Sequence, residues 1–306
     1  MPVAKTEKIW MDGALVDWAD ANIHVLTPSL HYGWGVYEGI RTYESARGPA
    51  AFRLTDHMRR LHRSARMLTL DVPYSVEELV AATKDLVRVN DLASCYIRPI
   101  VFLRDGEIGL NPLVSESRVA IIAFPLRTSL GDDAIRNGIR AKISSFRLID
   151  SNAIPPQAKA TGRYINSSLA KVEAVRAGYD DAILLSPGGY VAEGTTLNFF
   201  AVLNDELVTP PASLGALRGI TQDSVVRIAA DLGWVTREAK LNRADVYVAD
   251  EAFLTGTAAE VVPIRSIDDH ELGGPGVITK KIQETFYSAI KGEIDEYASW
   301  LEHVDE

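Results

Sequence analysis

Residues 181–209, DAILLSPGGYVAEGTTLNFFAVLNDELVT, carry the reading that decides the fold. Asp181-Ala182-Ile183-Leu184-Leu185 is a short apolar run of the buried-strand type. Gly188-Gly189 turns the chain into Tyr190-Val191-Ala192-Glu193. Residues 198–203 form another strand, and Asn204-Asp205 turns it into Glu206-Leu207-Val208-Thr209. Pro210-Pro211 cannot donate to a ladder and ends the pairing. Strands this short, separated by such turns, predict a sheet, and helices flank it in sequence. One helix is expected over 161–178, with Gly178 as its C-terminal stop. A second opens at Gly219-Ile220-Thr221 and reaches Leu232. Residues 252–256 read as a strand followed by Thr257-Ala258-Ala259. The last forty residues read as mostly helix, closed by Trp300 and Leu301.

Towards the N-terminus the same logic gives a second group of elements. Residues 8–16 read as a hairpin with Asp12-Gly13 as its two-residue turn. Thr55 opens a helix in which Met58, Leu61, Ala65 and Leu68 keep helical spacing. Ser75-Val76-Glu77-Glu78 is a capping box that starts another helix, ending near Asn90. Residues 95–103 and 118–124 are β-rich. The pattern then breaks over 126–134 and restarts with a strand over 139–146. The expectation is two α+β domains, a small one over 1–125 and a larger one over 135–306, joined by that linker.

With 306 residues, 47% of them hydrophobic and 24% charged, the chain has the balance of a globular protein with a substantial core. The net charge of -9, without an evident basic face, argues against nucleic-acid partners. No apolar run of membrane-spanning length appears, so no membrane partner is expected, and residues 1–6 lack the apolar stretch of a secretory signal. Cys95 is the single cysteine, so neither an internal disulfide nor a cysteine-based metal site is expected. The six histidines show no metal-ligand spacing. Together these features predict a cytoplasmic protein with no metal.

Lys159 is the most informative single residue. It lies in Ile154-Pro155-Pro156-Gln157-Ala158-Lys159, where the prolines force an extended entry and Thr161 is placed to cap the following helix. A lysine desolvated at such a junction becomes nucleophilic enough to condense with a carbonyl. Read from its local context alone, a surface lysine on a loop is the better reading. Glu193 sits among apolar and small residues beside Gly194; it suits a partner for a pyridinium nitrogen, or an ordinary edge-strand carboxylate. Leu217-Arg218-Gly219-Ile220-Thr221 leads into a helix whose first N–H groups suit an anion. Arg60 belongs to a basic helix face and could reach a phosphate with its planar fork. Tyr96 and Arg98 alternate onto one face of a strand. The small residues of 255–260 form a turn with backbone N–H groups suited to a carboxylate.

In order along nearly the whole chain, these motifs resemble the fold-type IV pyridoxal-phosphate enzymes, most closely the branched-chain amino acid aminotransferases. The carriers are His31-Tyr32-Gly33, Tyr37-Glu38-Gly39, residues 53–61, Tyr96-Ile97-Arg98-Pro99, residues 159–164, Glu193-Gly194 with Asn198-Phe199, Gly219-Ile220-Thr221, and residues 256–260. The resemblance implies an α+β fold of two domains, a small N-terminal α/β domain and a larger one with a β-barrel-like core. It implies pyridoxal 5'-phosphate held covalently by Lys159, with Glu193 on the ring nitrogen and Tyr164 on the ring hydroxyl. Arg60, Gly219, Ile220 and Thr221 would surround the phosphate, Leu217 would pack on the ring, and Thr257 would serve both cofactor and substrate.

For the substrates, the resemblance implies that Thr257 and Ala258, helped by Tyr96, receive the α-carboxylate. Arg98 would take the distal carboxylate of glutamate, and Tyr37 would line the apolar pocket. Tyr32 and Leu110 would reach the neighbouring subunit's site in a homodimer, itself open to further assembly. The expected reaction moves the amino group of leucine, isoleucine or valine to 2-oxoglutarate. Three departures from the family pattern stand out: Leu197 where a second glutamate is usual, Arg127 and Ser129 in the loop after Pro125, where Arg127 would add a second cation to the substrate site, and Trp34-Gly35. They keep in view a D-amino acid or (R)-amine transaminase of the same fold and, further off, an aminodeoxychorismate lyase.

Overall fold

Asp12 and Gly13 both adopt positive φ, 49° and 91°, as a two-residue hairpin turn requires. They join Lys8–Met11 to Ala14–Asp17 in the register Met11↔Ala14, as the sequence predicts. This hairpin edges a sheet of the first of two compact units in a computed structural model that describes residues 3–106, 109–126 and 131–306, apart from the side chain of Asp132. The first unit comprises the described residues of 1–127 with 158–162 and 288–306; the second comprises those of 128–157 and 163–287. Two segments that the sequence places beyond the linker, 158–162 and 288–306, therefore fold with the first unit. The linker expected over 126–134 falls partly outside the described residues, and Asp132–Asn137 is a short helix.

The sheet of the first unit is antiparallel throughout. Its order is Leu301–His303, Gly48–Phe52, Ile40–Ser45, Cys95–Leu103, Ser117–Phe124, Lys8–Met11 and Ala14–Asp17. Gly35–Tyr37 also pairs with Cys95–Leu103, so this long strand has two partners in succession along one edge. Glu38-Gly39 lies in the gap between them, opposite Pro99, which has no N–H to offer the ladder. The Glu38 N–H donates to Pro99 O at 2.9 Å across that gap. The helices Leu54–Met67 and Val76–Val89 cover the sheet: Leu54, Met58, Leu61, Leu79 and Leu86 share one core with Ile40, Ile97, Val101 and Ile121.

The Ser75 capping box forms as the sequence predicts. Glu78 N–H donates to Ser75 Oγ at 3.1 Å, and Ser75 N–H donates to Glu78 Oε2 at 2.7 Å. Ser75→Ala removes one of the two bonds and is expected to cost about 1 kcal/mol, read as a lower urea midpoint at unchanged slope. The chain end departs from its reading. Val277–Ile290 is helical, but Leu301–His303 is an edge strand on Gly48–Phe52, and Trp300 packs its ring 5.8 Å from that of Phe52. A pairing partner some 250 positions away leaves no mark on local periodicity.

The second unit is built on a closed six-stranded barrel. Its ring runs Val191–Gly194, Asp181–Leu185, Ile139–Arg147, Glu260–Ile267, Glu251–Gly256, Asn198–Leu203 and back to Val191–Gly194. Ile139–Arg147 runs parallel to both its neighbours, and the other joints of the ring are antiparallel. The pair Glu193↔Asn198 closes it. Closure removes exposed edges, so every ring strand has two partners. The interior is filled by Ile139, Ile183, Leu185, Val191, Leu197, Phe199, Leu254, Val262 and Ile264. Helix Tyr164–Arg176 lays Ala170 and Ala174 on Ala182, Leu184 and Ala192, small residues that let helix and sheet approach closely. Helix Ile220–Asp231 packs on Glu251–Gly256. The strands predicted at 181–185, 198–203 and 206–209 and the helix predicted from Gly219 are all present.

Candidate active site

Each unit gathers its own set of the residues singled out above. In the first unit, the backbone of Lys159 is pinned on both sides: its N–H donates to Ser64 Oγ at 3.1 Å, and its carbonyl accepts from Tyr37 N–H at 3.1 Å. Ala160 forms a bridge with Val36. The Lys159 side chain is half-buried, with Nζ 5.2 Å from the centre of the Tyr37 ring. A surface loop lysine has none of these constraints. Thr161 does not cap the next helix. Its hydroxyl turns back to Gly33 O at 2.8 Å and Gly35 O at 3.2 Å, because the helix is entered through a short 3₁₀ turn, Thr161–Arg163.

Arg98 lies over two aromatic rings, with its guanidinium carbon 4.4 Å from the Tyr37 ring and 5.2 Å from the Tyr96 ring. Its Nη2 donates to Tyr96 Oη at 3.0 Å, while its buried Nε has no hydrogen-bond partner among the described residues. Phe124 adds a ring 5.6 Å from that of Tyr96. The result is an aromatic wall carrying the Arg98 guanidinium, with the Lys159 ammonium over the same Tyr37 ring. Gly39 is fixed by the same wall, since a Cβ there would overlap Tyr96 Oη. Trp34 packs half-buried against the core, with Nε1 donating to Leu68 O at 3.0 Å.

Arg60 is not on the solvated basic face that neighbouring Arg59 occupies. Arg60 is 7% exposed, and its Nε and Nη2 form a fork on Glu38 Oε1 and Oε2 at 2.6 and 2.9 Å. His57 Nδ1 reaches Glu38 Oε2 at 2.7 Å. Burial would push the Glu38 carboxyl up, but the Arg60 charge and the hydrogen bonds from Arg60 and His57 outweigh it and hold the carboxyl far below its ordinary value. Burial pushes His57 down, with Lys159 among the cations that add to the effect. A neutral His57 therefore donates from Nδ1 to an ionised, acceptor-only Glu38. The sequence assigned no role to Glu38 or His57. The legible signal was polar residues at 57, 60 and 64 on the helix face that also carries Met58, Leu61 and Ala65.

In the second unit, Glu193 is no edge-strand carboxylate. Its strand has a partner on each side, and the side chain is buried. Oε1 accepts from Arg163 Nη2 at 3.0 Å, and Oε2 accepts from Leu217 N–H at 3.0 Å. Arg163 is the third residue without a predicted role. Leu217 is held in turn by Asn198, whose Nδ2 donates to Leu217 O at 2.7 Å. A Cβ at Gly219 would overlap Asn198 Oδ1, so only glycine fits before the first turn of helix Ile220–Asp231. Ile220 and Thr221 occupy that first turn, and both are buried.

Thr257 and Ala258 stand half-buried in the tight turn between Glu251–Gly256 and Glu260–Ile267, which Glu260 completes at φ 61°. Leu197 packs in the barrel interior, and a Cβ on Gly256 would overlap it, so at this position the chain has core in place of a polar group. Tyr164 opens helix Tyr164–Arg176. Tyr32 and Leu110 are 41% and 81% exposed, and the exposed apolar residues Val25 and Leu30 lie close to Tyr32 in the sequence. Arg127 and Ser129 lie outside the described residues. Among the described residues there is no cluster that could hold a metal and no helix long and apolar enough to cross a membrane.

A barrel carrying a buried, doubly held carboxylate, with a pinned lysine elsewhere on the chain, defines a class, and comparison with known proteins gives it a name. The family described as amino-transferase class IV matches residues 35–267, and the chain belongs to it. The branched-chain-amino-acid aminotransferase of Escherichia coli K12 is 43% identical over 309 residues, covering all of both chains. A crystal structure of the Escherichia coli branched-chain amino acid aminotransferase superposes with a TM-score of 0.96 at 43% identity, covering 98% of this chain and 100% of that one. The branched-chain amino acid aminotransferase from Thermobaculum terrenum, solved in its PLP-bound holo form, has a TM-score of 0.91 at 34% identity, covering 98% and 99%. The fold-type IV architecture that the sequence motifs implied is thus the architecture of the chain.

Proposed function

We propose that this chain is a pyridoxal-phosphate-dependent aminotransferase that moves the amino group of L-leucine, L-isoleucine or L-valine to 2-oxoglutarate in two half-reactions. The observation that carries the substrate reading is the Tyr37–Arg98–Tyr96 stack. One pocket must take an apolar side chain and, in the other half-reaction, the charged side chain of glutamate. An aromatic wall serves the first, and an arginine held within it serves the second.

The residues present fit the cofactor. Glu193 is a buried carboxylate of the kind a pyridinium needs, and a glycine-only entry to helix Ile220–Asp231 keeps side chains away from its N–H groups. When bound, pyridoxal phosphate supplies an electron sink for the charge that develops on the substrate α-carbon. Lys159 Nζ would tether it and would take and return the proton at the substrate α-carbon. Glu193 would hold the ring nitrogen, Tyr164 the ring hydroxyl, and Leu217 would pack on the ring. Arg60 and the N–H groups of Ile220 and Thr221 would hold the phosphate, with Gly219 permitting close approach. The N–H groups of the turn at Thr257 and Ala258 orient the substrate α-carboxylate with help from Tyr96, and Arg98 receives the distal one. The working form is a homodimer in which Tyr32 and Leu110 serve the neighbouring subunit's site; their exposure supports this.

Single-turnover spectroscopy tests the reading. L-leucine and L-glutamate should each convert the bound cofactor, while D-alanine and (R)-1-phenylethylamine should not. Faster conversion by either of the last two would reverse the assignment. Arg98→Gln should slow the L-glutamate half-reaction by about 10- to 100-fold, the worth of a charged hydrogen-bond pair, and L-leucine by less than about threefold. Equal losses for both substrates would remove Arg98 from its role.

A further inference from the structure

Arg163 is a buried charge to which the roles above give no task. It ends the 3₁₀ turn Thr161–Arg163 and is 9% exposed. Three of its contacts are with the second unit's interior. Nη1 donates to Pro156 O at 2.5 Å, and Nη2 donates both to Gly215 O at 2.6 Å and to Glu193 Oε1 at 3.0 Å. Glu193 is thereby gripped at both oxygens, by a guanidinium on one and the Leu217 amide on the other. The neighbouring strand's acid does not compete for this cation, since Asp181 Oδ1 takes Thr195 Oγ1 at 2.7 Å and Lys171 Nζ at 3.1 Å.

A buried ion pair is a weak source of stability, so its value here lies in what it does to the carboxylate. A cation against one oxygen favours the ionised form, and the two-point grip fixes the plane of the group. A buried carboxyl without a cation tends instead to take up a proton. It then presents no negative charge to a protonated ring.

We propose that Arg163 is a positioning residue that holds Glu193 ionised and oriented for the ring nitrogen of the cofactor. This rests on the reading in which Glu193 partners that nitrogen. Arg163 does not touch the cofactor and acts only through the carboxylate.

The test titrates the full-length, cofactor-free protein with pyridoxal phosphate and with its 1-deaza analogue, in which carbon replaces the ring nitrogen, following protein fluorescence. Arg163→Gln should weaken pyridoxal phosphate by about tenfold and leave the analogue within about twofold of the parent. Arg163→Lys keeps the charge but loses the fork, so it should lose about threefold for pyridoxal phosphate and nothing for the analogue. In a Glu193→Gln background the effect of Arg163→Gln should vanish. Equal weakening of the two ligands in either variant would mean that Arg163 merely supports the loops at Pro156 and Gly215, and would overturn the proposal, as would no change for either ligand. A parent protein that binds neither ligand would instead refute the cofactor assignment itself.

Discussion

Lys159→Ala should abolish turnover, lowering the rate of each half-reaction by on the order of 10⁴-fold or more, because the group that moves the proton is removed together with the tether. The backbone at this position is held by Ser64 Oγ and by Tyr37 N–H, neither of which depends on the amine. The variant should therefore fold, with a urea midpoint close to that of the parent. Pyridoxal phosphate should still enter through phosphate and ring contacts, but it should dialyse away. The loss should fall on single-turnover rates rather than on substrate affinity. Residual activity within tenfold of the parent would assign the proton transfer to another group.

Glu38→Ala should be the most damaging single change to stability. It leaves the Arg60 guanidinium buried without its carboxylate and removes the acceptor of His57. Breaking one partner of a buried pair costs about 3–5 kcal/mol, measured here by urea unfolding. The pH dependence follows from the same cluster. A depressed carboxyl gives stability that is fully present above its ordinary value near 4.5 and is lost as pH falls further. Depressed His57 acts in the same sense from its ordinary value of 6.5, since below that pH the unfolded chain binds a proton that the folded one resists. Stability should thus decline from about pH 6.5 downward, and Glu38→Ala should flatten the part below 4.5. A variant within 1 kcal/mol of the parent, with an unchanged acid limb, would contradict this reading of the cluster.

The parts of the fold that were legible in sequence are those whose signals are local. Residues 95–103, 181–185 and 206–209 are short apolar or β-rich runs bounded by turn residues, and the strands begin and end with them. Ser75 and Glu78 sit three apart and cap each other. What escaped was non-local. Leu301–His303 becomes a strand only through Gly48–Phe52, and the Thr161 hydroxyl finds Gly33 and Gly35 rather than its own helix. The site divides in the same way. Lys159 and Glu193 stand in recognisable motifs. Glu38 meets His57 and Arg60 across 19 and 22 positions, and Arg163 meets Glu193 across 30. Nothing in the local pattern of any of these residues names its partner.

Borohydride reduction of the protein loaded with pyridoxal phosphate, followed by proteolysis and mass spectrometry, examines the central assignment most directly. Hydride reduction converts a hydrolysable carbon–nitrogen double bond into a stable single bond, so the pyridoxyl group should be recovered on the peptide that contains Lys159 and on no other. Recovery of the label on a different lysine, or of an unlabelled Lys159 peptide from fully loaded protein, would contradict it.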